Sequence, residues 1–77
     1  MQEGSIVRLK PTEKASPELR QKIGDLGDVR GRVGAMTGIG MCTVLLPEGV
    51  IIEGHSHPAG ADQHYLDIHR EHLEEVA

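Results

Sequence analysis

The sequence predicts a small all-β domain: a barrel of about five short strands, with one short helix inside a long loop. The first observation behind this prediction is that apolar and polar residues alternate in short runs, as in strands buried on one face. The second is that the ten glycines and four prolines fall between or inside these runs, where a small sheet turns and curls. Because it has 77 residues, the chain 1–77 is predicted to be one domain.

The first strand is predicted within residues 4–10. Val7 and Leu9 share one face there, while Arg8 and Lys10 share the other, because side chains on a strand alternate.

A short helix is predicted around residues 16–23, inside the long loop that follows. Ser16 suits the N-cap, the proline after it suits the first helical position, and Gly24 suits the end. Leu19 and Ile23 are four residues apart, so they are expected to share one face and cover an open end of the core.

Three strands are predicted in the middle of the chain, at residues 28–36, 38–46 and 50–52. In the first of them Val29, Val33 and Ala35 are expected to point inward. The other two are apolar on both faces, which indicates burial against a partner or a second copy of the chain.

The last part of the chain is predicted to hold a polar loop at 55–63, a strand at 64–68, one helical turn at 70–73 and a closing strand at 74–76. Short strands, one small helix and a helical turn before the last strand are typical of an SH3-like barrel.

The composition limits how such a domain is stabilised. Phe and Trp are absent and Tyr65 is the single aromatic residue, so aliphatic side chains must form the core. Cys42 is the single cysteine, which excludes a disulfide within one chain, and its apolar strand predicts a buried, inert thiol. A chain of this length buries only about 60–65% of its unfolded surface, so self-association or a metal is expected to supplement the core.

The charge and hydropathy patterns exclude several partners. The net charge is −4 and no basic stripe is present, so no nucleic-acid partner is expected. No apolar stretch approaches the roughly 20 residues that span a bilayer, so no membrane partner is expected. Residues 1–4 lack the pattern of a signal peptide, which predicts a cytoplasmic location.

Three segments carry a resemblance to a known family: Gly-Ser-Ile-Val-Arg-Leu (4–9), Leu-Gly-Asp-Val-Arg-Gly (26–31), and the stretch from Tyr65 to Val76. They resemble the SH3-like barrels of the electron-transport-accessory group. That group includes the C-terminal domain of the nitrile hydratase β subunit, the ferredoxin–thioredoxin reductase variable chain and a peripheral photosystem I subunit. The resemblance implies a docking or stabilising subunit, with catalysis on the partner.

A more local resemblance concerns residues 42–49 and 63–65, which are similar to the plasmid-borne type II dihydrofolate reductases. Those proteins are tetramers of short SH3-like chains around an active-site pore. The resemblance implies a ligand site at Gln63, His64 and Tyr65, although only Gln63 and Tyr65 match the family's Val-Gln-Ile-Tyr motif. The family's tryptophans are missing, and Leu9 aligns with its pore lysine.

A metal site is the third hypothesis. His55 and His57 would share one face of an extended segment, a spacing that suits Zn²⁺ or another transition metal. Gly49 followed by this His-x-His pair also matches the first half of the cupin metal motif, with Asp62 in place of its Glu. The alternative is a solvated polar loop.

The arginines and lysines of two strands predicted to be neighbours form an outward basic set: Arg8, Lys10, Arg30 and Arg32. This set is either a solvated face or a docking site for an acidic partner. No catalytic residues and no required cofactor are predicted, because no complete catalytic constellation is present. We therefore expect a non-catalytic binding or accessory module that docks on a protein partner or assembles with itself.

Overall fold

A computed structural model describes residues 1–76 of the chain. Its elements are β1 (Ile6–Leu9), α1 (Pro17–Leu26), β2 (Arg30–Met36), β3 (Met41–Leu45), β4 (Ser56–Gly60), β5 (Gln63–His69), a 3-10 turn (Arg70–His72) and β6 (Leu73–Glu75). All pairings are antiparallel, and the strands form one sheet in the order β4-β5-β3-β2-β1-β6. The all-β prediction is confirmed, and the described part of the chain forms six strands instead of about five.

The strands near the two ends of the chain, β1 and β5, follow the predicted alternation. On β1, Val7 and Leu9 are buried while Ile6 and Arg8 lie on the other face. The predicted strand at 64–68, the helical turn after it and the closing strand are present as β5, the 3-10 turn and β6. Period-two alternation therefore placed β1 and β5 correctly, and the closing strand begins and ends one residue earlier than predicted.

Helix α1 begins as predicted but ends later. The Ser16 hydroxyl accepts a hydrogen bond from the Leu19 amide at 3.2 Å, which caps the first turn. The predicted end at Gly24 is wrong, because Gly24 lies inside the helix and Gly27 ends it. Gly27 adopts a φ of 81°, which favours glycine, and its amide donates to the Gly24 carbonyl.

The buried face of β2 changes partway along the strand. Val29, just before the strand, and Val33 on it are buried as predicted, but Ala35 is exposed. The pairing of β2 with β3 shifts between Val33 and Met36, as in a β-bulge. An extra residue in one strand moves the following side chains to the opposite face, so the inward prediction for Ala35 is wrong.

The predicted strand at 50–52 is wrong, because these residues form a loop. Ile52 is buried but Ile51 is 53% exposed. The Ile52 amide donates to the Ser56 hydroxyl at 2.9 Å, which closes the loop on itself. The strand forms instead in the predicted polar loop, as β4 paired with β5. Pro58 is tolerated there because β4 is an edge strand. Proline has no backbone N–H to donate, and at an edge no neighbouring strand needs that hydrogen bond.

The core lies between the inner face of the sheet and α1. Its buried side chains come from β1, α1, β2, β3, β5 and the loops beside them: Val7, Leu9, Ile23, Val29, Val33, Cys42, Val44, Leu46, Ile52, Leu66 and Ile68. Leu19 packs against this cluster, so both predicted core residues of α1 are confirmed. No helix among the described residues has the length and apolar character needed to cross a bilayer.

Close packing of β2 on β3 depends on one glycine. A Cβ atom added to Gly31 would lie 2.5 Å from the Leu45 carbonyl oxygen and 2.6 Å from the Val44 Cγ1 atom. Such contacts leave no room for a side chain between these strands. Gly31 therefore allows the sheet to curl tightly beside the residues that form the site described next.

Candidate binding groove on the outer sheet face

A row of side chains crosses the outer face of five strands. The strand register places Ile6 opposite Arg32, Arg32 opposite Leu45, Leu45 opposite Tyr65, and Tyr65 opposite His57. Directly opposed side chains lie close together across a sheet. The row therefore forms one continuous surface on the side away from the core.

A groove of about 280 Å³ opens along the β1–β3 half of this row. Its lining consists of Ile6, Arg30, Gly31, Arg32, Leu45, Leu46, Pro47 and Gln63, and we call it the outer groove. Aliphatic side chains and Pro47 supply its apolar surface, while two guanidinium groups and one amide supply its polar groups. The Gln63 side-chain amide donates to the Leu46 carbonyl at 3.4 Å, which orients it at the groove.

The two groove arginines differ in their partners. Arg30 contacts Asp28 at 3.3 Å. The Arg32 guanidinium donates to the Gly4 carbonyl at 3.5 Å, and within residues 1–76 it forms no ion pair with a carboxylate. Arg32 is also exposed. Of the two groove arginines, Arg32 is therefore the one whose positive charge is available to bind a ligand.

The other half of the predicted basic set is engaged within the chain. Arg8 contacts Asp28 at 2.9 Å and Glu74 at 3.0 Å, and Lys10 contacts Glu74 at 3.1 Å. The hydrogen bond and charge of Lys10, with a smaller effect of Arg8, hold the pKa of Glu74 below its usual value. Burial opposes the shift at Asp28, but hydrogen bonds from Arg30 and Arg8 lower its pKa as well. The set predicted from sequence is thus divided, with Arg30 and Arg32 at the groove and Arg8 and Lys10 in this ion-pair network.

The three residues predicted to bind a ligand are also divided. Gln63 lines the outer groove and Tyr65 lies in the outer row, with its ring centroid 5.3 Å from that of His57. His64 shares the inner side of β5 with the buried Leu66, because side chains alternate. Its Nδ1 atom is buried and has no hydrogen-bond partner within residues 1–76.

The predicted metal ligands have separate surroundings. His55 lies in the turn before β4, with its Nε2 atom 3.6 Å from a carboxylate oxygen of Glu18 on α1. His57 lies against Tyr65 on the sheet, and Asp62 occupies the β4–β5 turn with a φ of 57°. Across residues 1–76, no three His, Cys, Asp or Glu side chains come together to hold a metal ion. The metal site at His55, His57 and Asp62 stays a prediction.

Two further side chains that could carry chemistry, those of Cys42 and His72, are buried. Cys42 is 1% exposed, and burial raises the pKa of its thiol despite the opposing charge of Arg70, so the thiol is held in the unreactive form.

His72, which the sequence placed in a helical turn without a role, is 7% exposed. Its Nδ1 atom accepts the Thr12 amide at 3.0 Å and so ties the long loop to the 3-10 turn. An apolar neighbour, Leu73, was the only local sign of this burial.

The apolar part of the groove was only partly predicted from sequence. Leu45 belongs to the strand predicted to be apolar on both faces, whereas Ile6, which is 37% exposed, was not singled out. Comparisons with protein-family models, with curated proteins and with solved structures find no match to this chain. The resemblances to the accessory barrels and to the reductases therefore stay predictions.

Proposed function

We propose that the chain is a non-catalytic protein-binding module, and that its outer groove binds a partner segment carrying apolar and acidic side chains. The single observation that carries this proposal is the lining of the groove, where an unpaired guanidinium, that of Arg32, lies beside an apolar surface formed by Ile6, Leu45 and Pro47. An apolar surface with few polar groups is typical of binding sites, because burial supplies affinity and polar groups supply orientation.

The charge of the groove supports an acidic partner. The chain as a whole carries a net charge of −4, yet the groove side chains include two arginines and no carboxylate. Guanidinium groups bind carboxylates through paired hydrogen bonds. A segment with a Leu or Ile between acidic residues would place its apolar side chain on the groove surface and a carboxylate at Arg32.

A titration followed by ¹H–¹⁵N NMR tests this proposal. The probes are the acetylated, amidated peptide Glu-Leu-Asp-Leu-Glu and its uncharged counterpart Gln-Leu-Asn-Leu-Gln. We expect the acidic peptide to shift the amide signals of Ile6, Arg32 and Leu45 and the side-chain amide of Gln63. The uncharged peptide should bind about five- to tenfold more weakly, since each exposed charge pair contributes at most about 1 kcal/mol.

Arg32→Glu is the matched test variant and Arg20→Glu is its control. Arg20 is exposed on α1 and does not line the groove, so both variants change the net charge equally. Arg32→Glu should lower the affinity for the acidic peptide by about tenfold or more, while Arg20→Glu should leave that affinity nearly unchanged. Equal losses in both variants, or shifts that spread evenly over the chain, would contradict the proposal.

A further inference from the structure

A second apolar surface lies at the end of α1. It surrounds a shallow cavity of about 210 Å³ lined by Lys22, Asp25, Leu26, Ile51 and Glu53, and we call it the helix-end patch. Leu26 is 44% exposed and Ile51 is 53% exposed, two of the four large aliphatic side chains that the described residues leave open to solvent. Exposed aliphatic pairs of this kind mark interaction surfaces more often than isolated ones do.

The polar groups of the helix-end patch are acidic on balance. Lys22 contacts the Glu18 carboxylate at 3.2 Å and donates to the Glu53 carbonyl at 2.6 Å, so its charge is already engaged. Within residues 1–76, the carboxylates of Asp25 and Glu53 form no ion pair. Two unpaired carboxylates therefore flank the two exposed aliphatic side chains.

Building on the proposed protein-binding role of the outer groove, we infer that the segment it binds is the helix-end patch of a second copy of this chain. The two surfaces are complementary, since each offers exposed aliphatic groups and they carry opposite unpaired charges. Arg32 of one copy faces Asp25 or Glu53 of the other in this arrangement, and Leu26 and Ile51 cover Ile6 and Leu45.

The placement of the two surfaces makes this contact head-to-tail. The outer groove lies on the face of β2 and β3 that points away from the core. Helix α1 lies on the core side, because its Ile23 packs in the same buried cluster as Val29 and Val33. The two linings share no residue, so one copy can engage both at once, and a contact between unlike surfaces builds a ring or an open chain of subunits.

The size of the chain leaves enough surface for such a contact. A stable interface covers about 800 Å² on each partner, which is about one-sixth of the 4736 Å² surface of the chain. Covering Leu26 and Ile51 would also supplement a core that holds no aromatic side chain.

Sedimentation velocity over a concentration series at low ionic strength, where surface charges are least screened, tests the inference. The native chain should form oligomers larger than a dimer at high concentration. Arg32→Glu and Glu53→Lys, each alone, should raise the dissociation constant by about five- to tenfold, because each places like charges across the interface. A 1:1 mixture of the two variants should associate nearly as well as the native chain, since the reversed charges attract again.

Arg20→Glu and Glu13→Lys are the matched controls, because they give the same net charges at exposed positions outside both surfaces. A chain that stays monomeric at all concentrations would overturn the inference. So would equal losses in the controls, or a mixture of the two variants that remains dissociated. A monomeric chain that still binds the acidic peptide at Arg32 would leave the proposed function standing, whereas loss of peptide binding alone would remove the proposed function.

Discussion

At the scale of single residues, packing around Gly31 sets a strict limit on substitution. Gly31→Ala would place a methyl group against the Leu45 carbonyl and the Val44 side chain. Because backbone atoms cannot move aside as a flexible side chain can, we expect a loss of about 2–3 kcal/mol in the free energy of unfolding, measured by urea denaturation. Gly34→Ala on the same strand is the control, since its Cβ would lie 3.5 Å from the nearest atom. A loss in the control as large as that at Gly31 would contradict the close approach described above.

His72 gives a second prediction at the residue scale. His72→Ala should lower the free energy of unfolding by about 2–3 kcal/mol, because it opens a cavity and leaves the Thr12 amide without its acceptor. His72→Asn should recover part of that loss, since the Asn side-chain oxygen takes nearly the position of Nδ1. Thermal and urea unfolding of both variants measure the difference. If the Asn variant is no more stable than the Ala variant, the hydrogen bond to Thr12 contributes little.

At the scale of elements, the two glycines near the end of α1 are predicted to respond in opposite directions. Gly24 lies inside the helix with open space around its Cβ position, so Gly24→Ala should stabilise the protein by about 0.5–1 kcal/mol. Gly27 has a φ of 81° and a ψ of −142°, a backbone conformation that almost only glycine adopts, so Gly27→Ala should destabilise the protein by about 1–3 kcal/mol. Urea denaturation of the two variants checks the signs, and changes of the same sign would contradict the assigned helix end.

Sequence patterns located every element except β4 and wrongly assigned a strand to residues 50–52. Val7, Leu9, Leu66 and Ile68 revealed their strands because polar residues separate them. Residues 50–52 imitate a strand because Ile52 fills the core from a loop while its apolar neighbour Ile51 is exposed. The edge strand β4 gave no apolar pattern, since nearly all its side chains are exposed. The local pattern of apolar residues cannot show which of these two segments forms a strand, because pairing with a neighbouring strand determines it.

The candidate site was predicted in parts. Arg30, Arg32 and Gln63 were identified from sequence, the first two as docking residues and the third as a ligand residue. Their meeting depends on the order of β1, β2, β3 and β5 in the sheet, which brings distant segments together. The engagement of Arg8 with Glu74 depends on the pairing of β1 with β6, a contact between opposite ends of the chain. Such long-range pairings leave no trace in the local spacing of residues.

At the scale of the whole molecule, surface ion pairs predict how stability depends on pH. Within residues 1–76, four carboxyl groups have lowered pKa values, those of Glu18, Asp28, Glu74 and Glu75. At Glu18 and Glu74 the main cause is a neighbouring lysine, and at Glu75 it is the amino group of Met1. The folded state therefore binds protons less readily than the unfolded chain does at these groups.

These ion pairs should accordingly contribute their full stabilisation above pH 4.5, the ordinary pKa of Glu. The free energy of unfolding should fall as the pH drops through the lowered pKa values of these groups. Urea denaturation between neutral and strongly acidic pH measures this curve. Glu74→Gln should reduce the acid-dependent loss, and high salt should flatten it because these pairs are exposed. A free energy of unfolding that rises on acidification would contradict the assigned ion pairs.

The position of Tyr65 has a practical consequence for optical spectroscopy. It is the single aromatic side chain of the sequence, so all intrinsic fluorescence comes from one half-buried phenol on the outer row, opposite Leu45 and next to His57. Emission therefore reports on the surface beside the groove and not on the aliphatic core. Occupancy of the groove is expected to change the quantum yield of a fully folded molecule, whereas global unfolding is better followed by far-ultraviolet circular dichroism.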